Sequence, residues 1–289
     1  MVITYAELLR QTRKKLLPTE GEDAARIARE LTAFAAGKTM EELLRDTGLY
    51  PSQAVLDKLE DALADYLKDK PLAYIFGSRP FCGLELLVDE RVLIPRDDTV
   101  AVTELGLEAI RDIEQPRVLD LCTGSGCIGL AIAQHRPDAK VTLADISRDA
   151  LSVARENARR NDLIKHVTVV EADAFRPAPG LLRNYDLLIS NPPYVTQTEM
   201  ETLEPSVRKY EPALALCGGA DGLDFYRAIA ENYLVTLRDG GCVCFEFGMG
   251  QERDVESILK QYDLEEIRFA EDASRRIRAV SARKHGKEL

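Results

Sequence analysis

From residue 117 onward, short apolar runs typical of buried strands alternate with segments of helical periodicity. This alternation predicts an α/β fold with a doubly wound, mostly parallel sheet and helices on both faces. In such a sheet, ligands bind at the carboxyl ends of the strands, so we expect the functional residues there. The predicted strands are 117–122, 141–146, 167–173, 185–191, 241–247, 265–271 and 276–282, and the predicted helices are 126–136, 148–161, 222–237 and 250–262.

The residues before this region differ in character. Apolar side chains recur at helical spacing within residues 1–70, which predicts a small helical bundle, and Thr4 with Glu7 predicts a capping box at its first helix. Strand-like runs at 74–76 and 84–88 predict a β-hairpin. The sequence thus predicts three parts, which are a helical substrate-recognition domain over 1–70, a hairpin linker over 71–96 and an α/β domain over 97–289.

Composition argues against several classes of protein. The sequence has no run of about 18 apolar residues, which a membrane-spanning helix needs, and its start does not resemble a secretory signal. The 6 cysteines form no CxxC pair and only 3 histidines occur, so we expect no metal site and reduced thiols in a cytoplasmic protein. The net charge of −11 argues against a protein that binds duplex DNA through many phosphates.

The segment 118–129 combines a buried strand, a glycine-rich turn and the start of a helix. Its glycines match GxGxxG, which lets the backbone approach a ligand closely, and Asp145 at the end of the next strand can bind two ribose hydroxyls. Nicotinamide dehydrogenases and ligand-free structural turns share that pattern. Asp120, just before the turn, makes the segment similar to the first motif of class I (Rossmann-like) methyltransferases, which implies S-adenosylmethionine as cofactor. The three glycines are Gly124, Gly126 and Gly129.

A second motif follows the strand predicted over 185–191 and has the sequence Asn-Pro-Pro-Tyr. Its prolines stiffen the loop and remove two backbone donors, while the asparagine adds an oxygen acceptor and the tyrosine a flat ring. An amide or aromatic amine nitrogen is a poor nucleophile, and two acceptors that hold its hydrogens would position it for methyl transfer. Alone, the motif also fits an ordinary proline-rich turn. Its residues, here called the tetrapeptide, are Asn191, Pro192, Pro193 and Tyr194.

Beyond these motifs, the sequence resembles the HemK/PrmC family of protein-(glutamine-N5) methyltransferases over essentially its whole length. Three further segments carry the resemblance. They are 71–96, with Val-Leu-Ile-Pro-Arg at 92–96; 210–223, with Tyr-Glu-Pro-Ala-Leu at 210–214; and 245–248, which reads Phe-Glu-Phe-Gly. Together these segments are far more specific than the motifs shared by all methyltransferases.

The resemblance implies methyl transfer from S-adenosylmethionine to the side-chain amide of the glutamine in the Gly-Gly-Gln motif of class-1 peptide-chain release factors. It also implies that the helical domain helps to recognise the release factor. We expect a monomer with no membrane partner and no direct nucleic-acid partner. Carried over by position, the catalytic residues are Asn191, Pro192 and Tyr194; the substrate-binding residues are all four of the tetrapeptide; and the cofactor contacts are Cys122, Thr123, Gly124, Ser125, Gly126, Asp145, Asp173, Ala174 and Asn191.

The chain departs from the family pattern at several positions. Asp97 and Val100 replace the second proline and the last glutamate of Ile-Pro-Arg-Pro-Glu-Thr-Glu, and Cys122 stands at the first glycine of the cofactor turn. Arg275 replaces the glycine of a C-terminal Asp-Leu-Ala-Gly pattern, and Ala174 stands where some members carry an aromatic residue. We expect these changes to affect cofactor packing rather than the reaction class.

Two rival functions remain at this stage. A DNA adenine methyltransferase uses a related tetrapeptide, but it must flip a base out of the duplex and bind phosphates. The acidic chain and the lack of an evident target-recognition domain weigh against that enzyme. A binding protein without catalytic activity would not need both the glycine turn and the tetrapeptide.

Overall fold

The computed structural model describes residues 3–286 of the 289-residue chain. These residues form two compact units. The first unit contains the residues up to Phe76 together with Pro205–Tyr210, and the second contains Gly77–Glu204 and the residues from Glu211 onward. Every site residue predicted from the sequence belongs to the second unit.

The first unit is helical. Thr4 accepts a hydrogen bond from the Glu7 N–H at 3.3 Å and so begins the first helix. Only this half of the predicted capping box is present among the described hydrogen bonds, whereas Thr39 and Glu42 form a complete one at the third helix. The helices are α1 (Tyr5–Glu20), α2 (Ala24–Ala36), α3 (Met40–Arg45), α4 (Gln53–Tyr66) and α5 (Leu72–Phe76), joined by the later segment Pro205–Tyr210.

The region predicted as a hairpin contains one, but its first strand begins later than expected. The strand predicted at 74–76 is wrong, because these residues lie in α5, a helical turn in which the Pro71 carbonyl accepts the Tyr74 N–H at 3.0 Å. A short apolar run does not distinguish a strand from a helix, and proline favours a first helical turn. The hairpin consists of β1 (Ser78–Phe81) and β2 (Leu84–Leu87).

In the second unit, the seven predicted strands and the four predicted helices are all present, although the strand predicted at 241–247 begins earlier, at Leu237, and the helix predicted at 222–237 ends at Tyr233. The helix Gln197–Met200 was not predicted. The strands are β3 (Arg117–Leu121), β4 (Lys140–Asp145), β5 (Val167–Glu171), β6 (Tyr185–Ser190), β7 (Leu237–Glu246), β8 (Leu264–Glu271) and β9 (Ile277–Lys284). The helices, numbered with Pro205–Tyr210 as α10, are α6 (Thr99–Ala109), α7 (Cys127–His135), α8 (Arg148–Arg160), α9 (Gln197–Met200), α11 (Asp224–Tyr233) and α12 (Glu252–Gln261).

The strands form one seven-stranded sheet in the order β5-β4-β3-β6-β7-β9-β8. The five strands from β5 to β7 pair in parallel, and β9 is antiparallel to both of its neighbours. The predicted α/β fold is therefore confirmed. After β3 the chain first builds one side of the sheet and then returns to build the other from β6, which makes the β3/β6 pair the switch point where ligands bind in such sheets.

Both faces of the sheet are covered by apolar clusters. Along β3, Val118 belongs to one cluster and the next residue, Leu119, belongs to the other. Leu187 and Leu188 alternate in the same way along β6. Since both central strands are packed on two sides, their carboxyl ends are held rigidly.

Candidate active site

The carboxyl ends of β3 and β6 lie side by side at the switch point. Leu121 is paired with Ser190 in the parallel register, and the Ser190 hydroxyl donates a hydrogen bond to the Leu121 carbonyl at 2.5 Å. The next residues along the two strands are Cys122 and Asn191. The sheet therefore places the start of the glycine turn next to the start of the tetrapeptide.

Asp120 supports the glycine turn from the buried side. Its Oδ2 accepts hydrogen bonds from the Thr123 hydroxyl at 2.5 Å and from the Gly129 N–H at 2.9 Å. A Cβ on Gly129 would lie 2.3 Å from a methyl of Leu143, so the helix can approach the sheet this closely only with glycine there. Burial raises the pKa of Asp120 to about 7, against the opposing effect of these hydrogen bonds. Asp120 thus shapes the turn and does not border the cavity described below.

Three residues of the turn have a left-handed backbone. The φ angles are 54° at Gly124, 84° at Gly126 and 60° at Cys122. A side chain at such a φ costs about 1–2 kcal/mol relative to glycine. Cys122 therefore departs from the family pattern at a position where the backbone favours glycine.

Asp145 connects the turn to the end of β4. Its Oδ2 accepts the Gly124 N–H at 2.9 Å, and its Oδ1 accepts the Ser147 N–H at 2.9 Å. Burial raises the pKa of this carboxyl, and the two backbone donors oppose that rise. Each carboxylate oxygen has more than one lone pair, so Asp145 can hold the turn and still accept hydrogen bonds from a ligand.

The residues after β5 form an apolar wall. Asp173 Oδ1 accepts the Phe175 N–H at 2.8 Å, and Ala174 is buried. The Phe175 ring meets the edge of the Phe225 ring with centroids 4.8 Å apart. Glu171, from the same segment, is exposed and does not border the cavity.

The backbone of the tetrapeptide is held by close packing. A Cβ on Gly218 would lie 2.7 Å from the Pro193 carbonyl oxygen and 2.7 Å from the Tyr194 Cα. A Cβ on Gly222 would lie 2.3 Å from the Tyr194 carbonyl oxygen. Gly218 and Gly222 are therefore needed because a side chain at either position would displace the tetrapeptide.

The side chain of Asn191 has a buried polar support. Its Nδ2 donates a hydrogen bond to the Thr99 hydroxyl oxygen at 3.3 Å. Thr99 begins α6, and Glu246 ends β7; both are 1% exposed. Burial raises the pKa of Glu246 to about 7, while hydrogen bonding from Thr99 and Asn191 acts in the opposite direction. Glu246 has no role in the sequence-based interpretation, although a glutamate within an apolar strand was a visible signal.

Tyr194 is partly buried at the end of the tetrapeptide. Its carbonyl accepts a hydrogen bond from Gln251 Nε2 at 3.1 Å, and its ring lies against Gly248. Burial raises the pKa of its hydroxyl well above the ordinary value, so the hydroxyl stays protonated. The hydroxyl of Tyr194 is therefore not a candidate general base.

One cavity is bordered by most of the predicted site residues. Those on its wall are Cys122, Thr123, Gly124, Ser125, Asp145, Asp173, Ala174, Asn191 and Pro193. Three do not border it, namely Gly126, Pro192 and Tyr194. Gly126 serves the turn through its backbone conformation, and the other two belong to the neighbouring tetrapeptide.

The cavity has a further wall that the sequence did not reveal. Two segments assigned only by resemblance meet there, because Arg96 pairs with the buried Glu211, which also accepts the Ile94 N–H at 3.2 Å. A buried carboxylate needs such partners, but its burial cannot be read from the sequence. The residues that this wall adds include Arg91, Val92, Leu93, Pro95, Arg96, Thr99, Pro212, Leu214 and Ala215.

Two features are absent from the described residues, namely a metal-binding cluster and a membrane-spanning helix. Residues 3–286 contain no group of three or more histidine, cysteine, aspartate or glutamate side chains that could hold a metal ion. In the same part of the chain, the structure has no helix with the length and apolar character to cross a membrane. All six cysteines are free thiols.

Comparison with protein families gives matches to both units. Residues 7–77 match the PrmC N-terminal domain, and residues 97–210 match the Methyltransferase small domain. The second match contains both the glycine turn and the tetrapeptide. The residues that form the β3/β6 switch point are therefore part of a methyltransferase domain.

Several bacterial relatives are similar over most of their length. The release factor glutamine methyltransferase of Caulobacter vibrioides is 37% identical over 254 residues, which cover 88% of this chain and 87% of that protein. The enzyme of the same name from Clostridium botulinum is 37% identical over 224 residues, covering 77% and 79%. The one from Chlorobaculum tepidum is 40% identical over 211 residues, covering 71% of each.

The fold also resembles a solved structure of much lower sequence similarity. The crystal structure of the hMettl16 catalytic domain in complex with MAT2A 3'UTR hairpin 6 gives a TM-score of 0.56 at 15% identity, over 84% of this chain and 86% of that one. At this identity the likeness concerns the fold alone.

Proposed function

The chain belongs to the release factor glutamine methyltransferase family, and we propose that it transfers a methyl group from S-adenosylmethionine to the side-chain amide nitrogen of the glutamine in the Gly-Gly-Gln motif of class-1 peptide-chain release factors. The observation that carries this proposal is the position of Asn191. Asn191 borders the cavity beside the glycine turn, and its Nδ2 donates a hydrogen bond to Thr99 Oγ1.

The residues around the cavity fit S-adenosylmethionine, which when bound supplies an electrophilic methyl group. Asp145 offers two carboxylate oxygens with free lone pairs for ribose hydroxyls. Ala174 and Phe175 offer an apolar surface for a flat base. A Cβ position on Gly124 has no atom within 4 Å, which leaves the turn open to a ligand. These contacts, with the turn 122–126, Asp173 and Asn191, are the proposed cofactor site.

The tetrapeptide is proposed to position the nucleophile. The lone pair of a glutamine amide nitrogen is delocalised into the carbonyl, so the nitrogen reacts only when it is held with one face toward the methyl carbon. Asn191 Oδ1 and a carbonyl oxygen of Pro192 or Pro193 are proposed to accept its two hydrogens. As the C–N bond forms, the bond between the methyl carbon and sulfur would break and S-adenosylhomocysteine would be the product. Positive charge then builds on the amide nitrogen, and both acceptors bind its hydrogens more strongly.

No strong base is needed in this scheme. Once the nitrogen carries the methyl group, its proton is acidic and is lost readily to water. Tyr194 stays protonated, and its ring is proposed to pack against the flat amide of the glutamine. The role of the tetrapeptide is therefore positioning and charge stabilisation.

The predicted site residues all belong to the second unit, and we propose that the helical unit recognises the release factor. Binding of a release factor should then slow backbone hydrogen exchange in helices α1 to α4, and unchanged exchange there would contradict this role. The proposed partner is a translation factor, so the cytoplasm is the proposed compartment, with the enzyme acting as a monomer.

Incubation with labelled S-adenosylmethionine tests the proposed substrate. We expect label in an intact class-1 release factor, and none when its Gly-Gly-Gln glutamine is replaced by alanine. Duplex DNA is the second acceptor to be tested, because it is the substrate of the rival adenine methyltransferase. Label in DNA but not in the release factor would refute the proposal.

A further inference from the structure

The proposed reaction requires one particular orientation of the Asn191 side chain. The target nitrogen presents hydrogens, so Asn191 must present its oxygen, which accepts, and not its nitrogen, which donates. The two ends of an asparagine amide are nearly identical in shape, and packing alone does not choose between them. This inference rests on the proposed function and concerns what selects the orientation.

The polar groups behind Asn191 supply that selection. Thr99 Oγ1 accepts the hydrogen bond from Asn191 Nδ2 at 3.3 Å. Ser190 of β6 pairs with Phe245 of β7 in the parallel register, so the next residues, Asn191 and Glu246, follow at neighbouring strand ends. Hydrogen bonding from Thr99 and Asn191 lowers the pKa of the Glu246 carboxyl. Glu246 is 1% exposed, and its Oε2 has no hydrogen-bond partner in the described part of the chain.

An ionised carboxylate accepts hydrogen bonds and cannot donate one. With the Asn191 nitrogen turned inward, the amide faces acceptors with its hydrogens. If the amide were turned over, its oxygen would face the oxygens of Glu246, and buried acceptors that face each other lose their hydrogen bonds. We propose that Glu246, together with Thr99, is a positioning residue that keeps the oxygen of Asn191 toward the cavity.

The charge state of Glu246 sets the conditions for a test. Burial raises its pKa to about 7, with a further rise from Asp98 and a fall from Arg278. Arg278 Nε lies 3.2 Å from Asp98 Oδ2, so these two charges partly compensate each other. The carboxylate form therefore predominates at pH values above about 7, and assays at about pH 8 examine it. Other titratable groups near Glu246 are Tyr194, Tyr226 and Cys127.

A reciprocal exchange of donor and acceptor tests the proposal. E246Q supplies both a donor and an acceptor, so the Asn191 amide can adopt either orientation, and kcat should fall about twofold to tenfold with little change in KM. N191D places a carboxylate against Glu246 and should lower kcat about 100-fold. In N191D/E246Q the new amide at position 246 can donate to one oxygen of the new carboxylate and leave the other oxygen toward the cavity, so kcat should recover at least about tenfold over N191D.

The outcomes separate positioning from a general structural role. A double variant no faster than N191D, or an N191D enzyme as fast as the parent, would overturn the proposal. E108Q, which changes an exposed glutamate on α6, is the matched control and should keep the parental kcat. Thermal unfolding of each variant identifies any loss of folded protein.

A second measurement does not depend on methyl transfer. In ¹⁵N-labelled protein, the side-chain amide signals of Asn191 can be identified by their loss in N191D. We expect slow hydrogen exchange of these signals in the parent and faster exchange in E246Q, because the inward orientation is then no longer selected. Equal exchange rates would overturn the inference. A parent that leaves release factors unmethylated would refute the proposed function, while the exchange rates would still decide the orientation.

Discussion

The glycine turn and the tetrapeptide follow neighbouring strands of one sheet, yet they are held in place by different means. The turn is fixed by carboxylates, because Asp145 accepts the Gly124 N–H and Asp120 accepts the Thr123 hydroxyl together with the Gly129 N–H of α7. The tetrapeptide is held mainly by the close packing of Gly218 and Gly222 against its backbone, with hydrogen bonds to Thr99 and from Gln251 at its two ends.

The difference follows from the chemistry of proline. The turn is rich in backbone donors, and buried acids can bind them. Two consecutive prolines have no N–H to donate, so acidic side chains cannot hold a Pro-Pro backbone, which leaves packing and donors to its carbonyl oxygens. Substitutions in the turn should therefore act mainly on cofactor affinity and stability, and substitutions around the tetrapeptide mainly on turnover.

The largest expected effect is that of N191A. This change removes the proposed acceptor and lets the target nitrogen rotate. We therefore expect kcat to fall about 10²–10³-fold, which is the loss typical of enzymes that lose one hydrogen-bond partner of the transition state. Cofactor affinity should fall much less. Single-turnover methyl transfer measures the loss, and a parental rate would remove Asn191 from the mechanism.

G218A should cause the next largest loss of turnover. The new Cβ would force the Pro193 carbonyl and Tyr194 aside, and a displacement of about 1 Å can cost about 10²-fold in rate. Cofactor affinity measured by calorimetry should stay close to the parental value. G180A is the matched control, because a Cβ there meets no atom within 4 Å. Equal turnover in G218A and G180A would contradict the packing argument.

D145A should lower cofactor affinity and leave turnover at saturating cofactor largely unchanged, which is the opposite of the pattern expected for G218A. Loss of its charge-assisted hydrogen bonds should weaken S-adenosylmethionine binding by about 1–3 kcal/mol. At saturating cofactor, kcat should recover most of its parental value. The comparison between turn and tetrapeptide would fail if calorimetry found unchanged affinity or if saturating cofactor left turnover low.

Of these four variants, D120N should change turnover least. Its main effect should be on how the free energy of unfolding depends on pH. The pKa of Asp120 rises on folding to about 7, so folding favours the protonated form, and stability should fall as pH rises from about 4 to about 7. Asparagine keeps an acceptor for Thr123 and Gly129 but cannot ionise. Denaturant unfolding at pH 5 and pH 8 should therefore show a smaller loss of stability for D120N than for the parent or for D112N, an exposed control. Equal losses would show that Asp120 does not ionise in this range.

Local patterns in the sequence were sufficient for the fold and for the strand ends that carry the candidate site. Buried strands, a glycine turn and two prolines are features of neighbouring residues, and they placed Cys122 and Asn191 at adjacent strand ends. The strand predicted at 74–76 failed because three apolar residues fit a helical turn equally well.

The supporting residues depend on contacts that no local pattern contains. Thr99 and Asn191 are 92 positions apart, and Arg96 and Glu211 are 115 positions apart. Thr99 and Asn191 meet because the fold brings the start of α6 to the end of β6, beside the end of β7. The sequence shows that Glu246 is a charged residue in an apolar strand, but only the fold shows which side chain it faces.

The most direct test of the central claim is to locate the transferred methyl group. After a limited reaction with an intact class-1 release factor, tandem mass spectrometry of the product peptide identifies the modified atom group. We predict one methyl group on the side-chain amide of the Gly-Gly-Gln glutamine, with none in a parallel reaction of N191A stopped at the same early time. A methyl group on any other residue, or equal modification by N191A, would contradict the assignment of the tetrapeptide as the glutamine site.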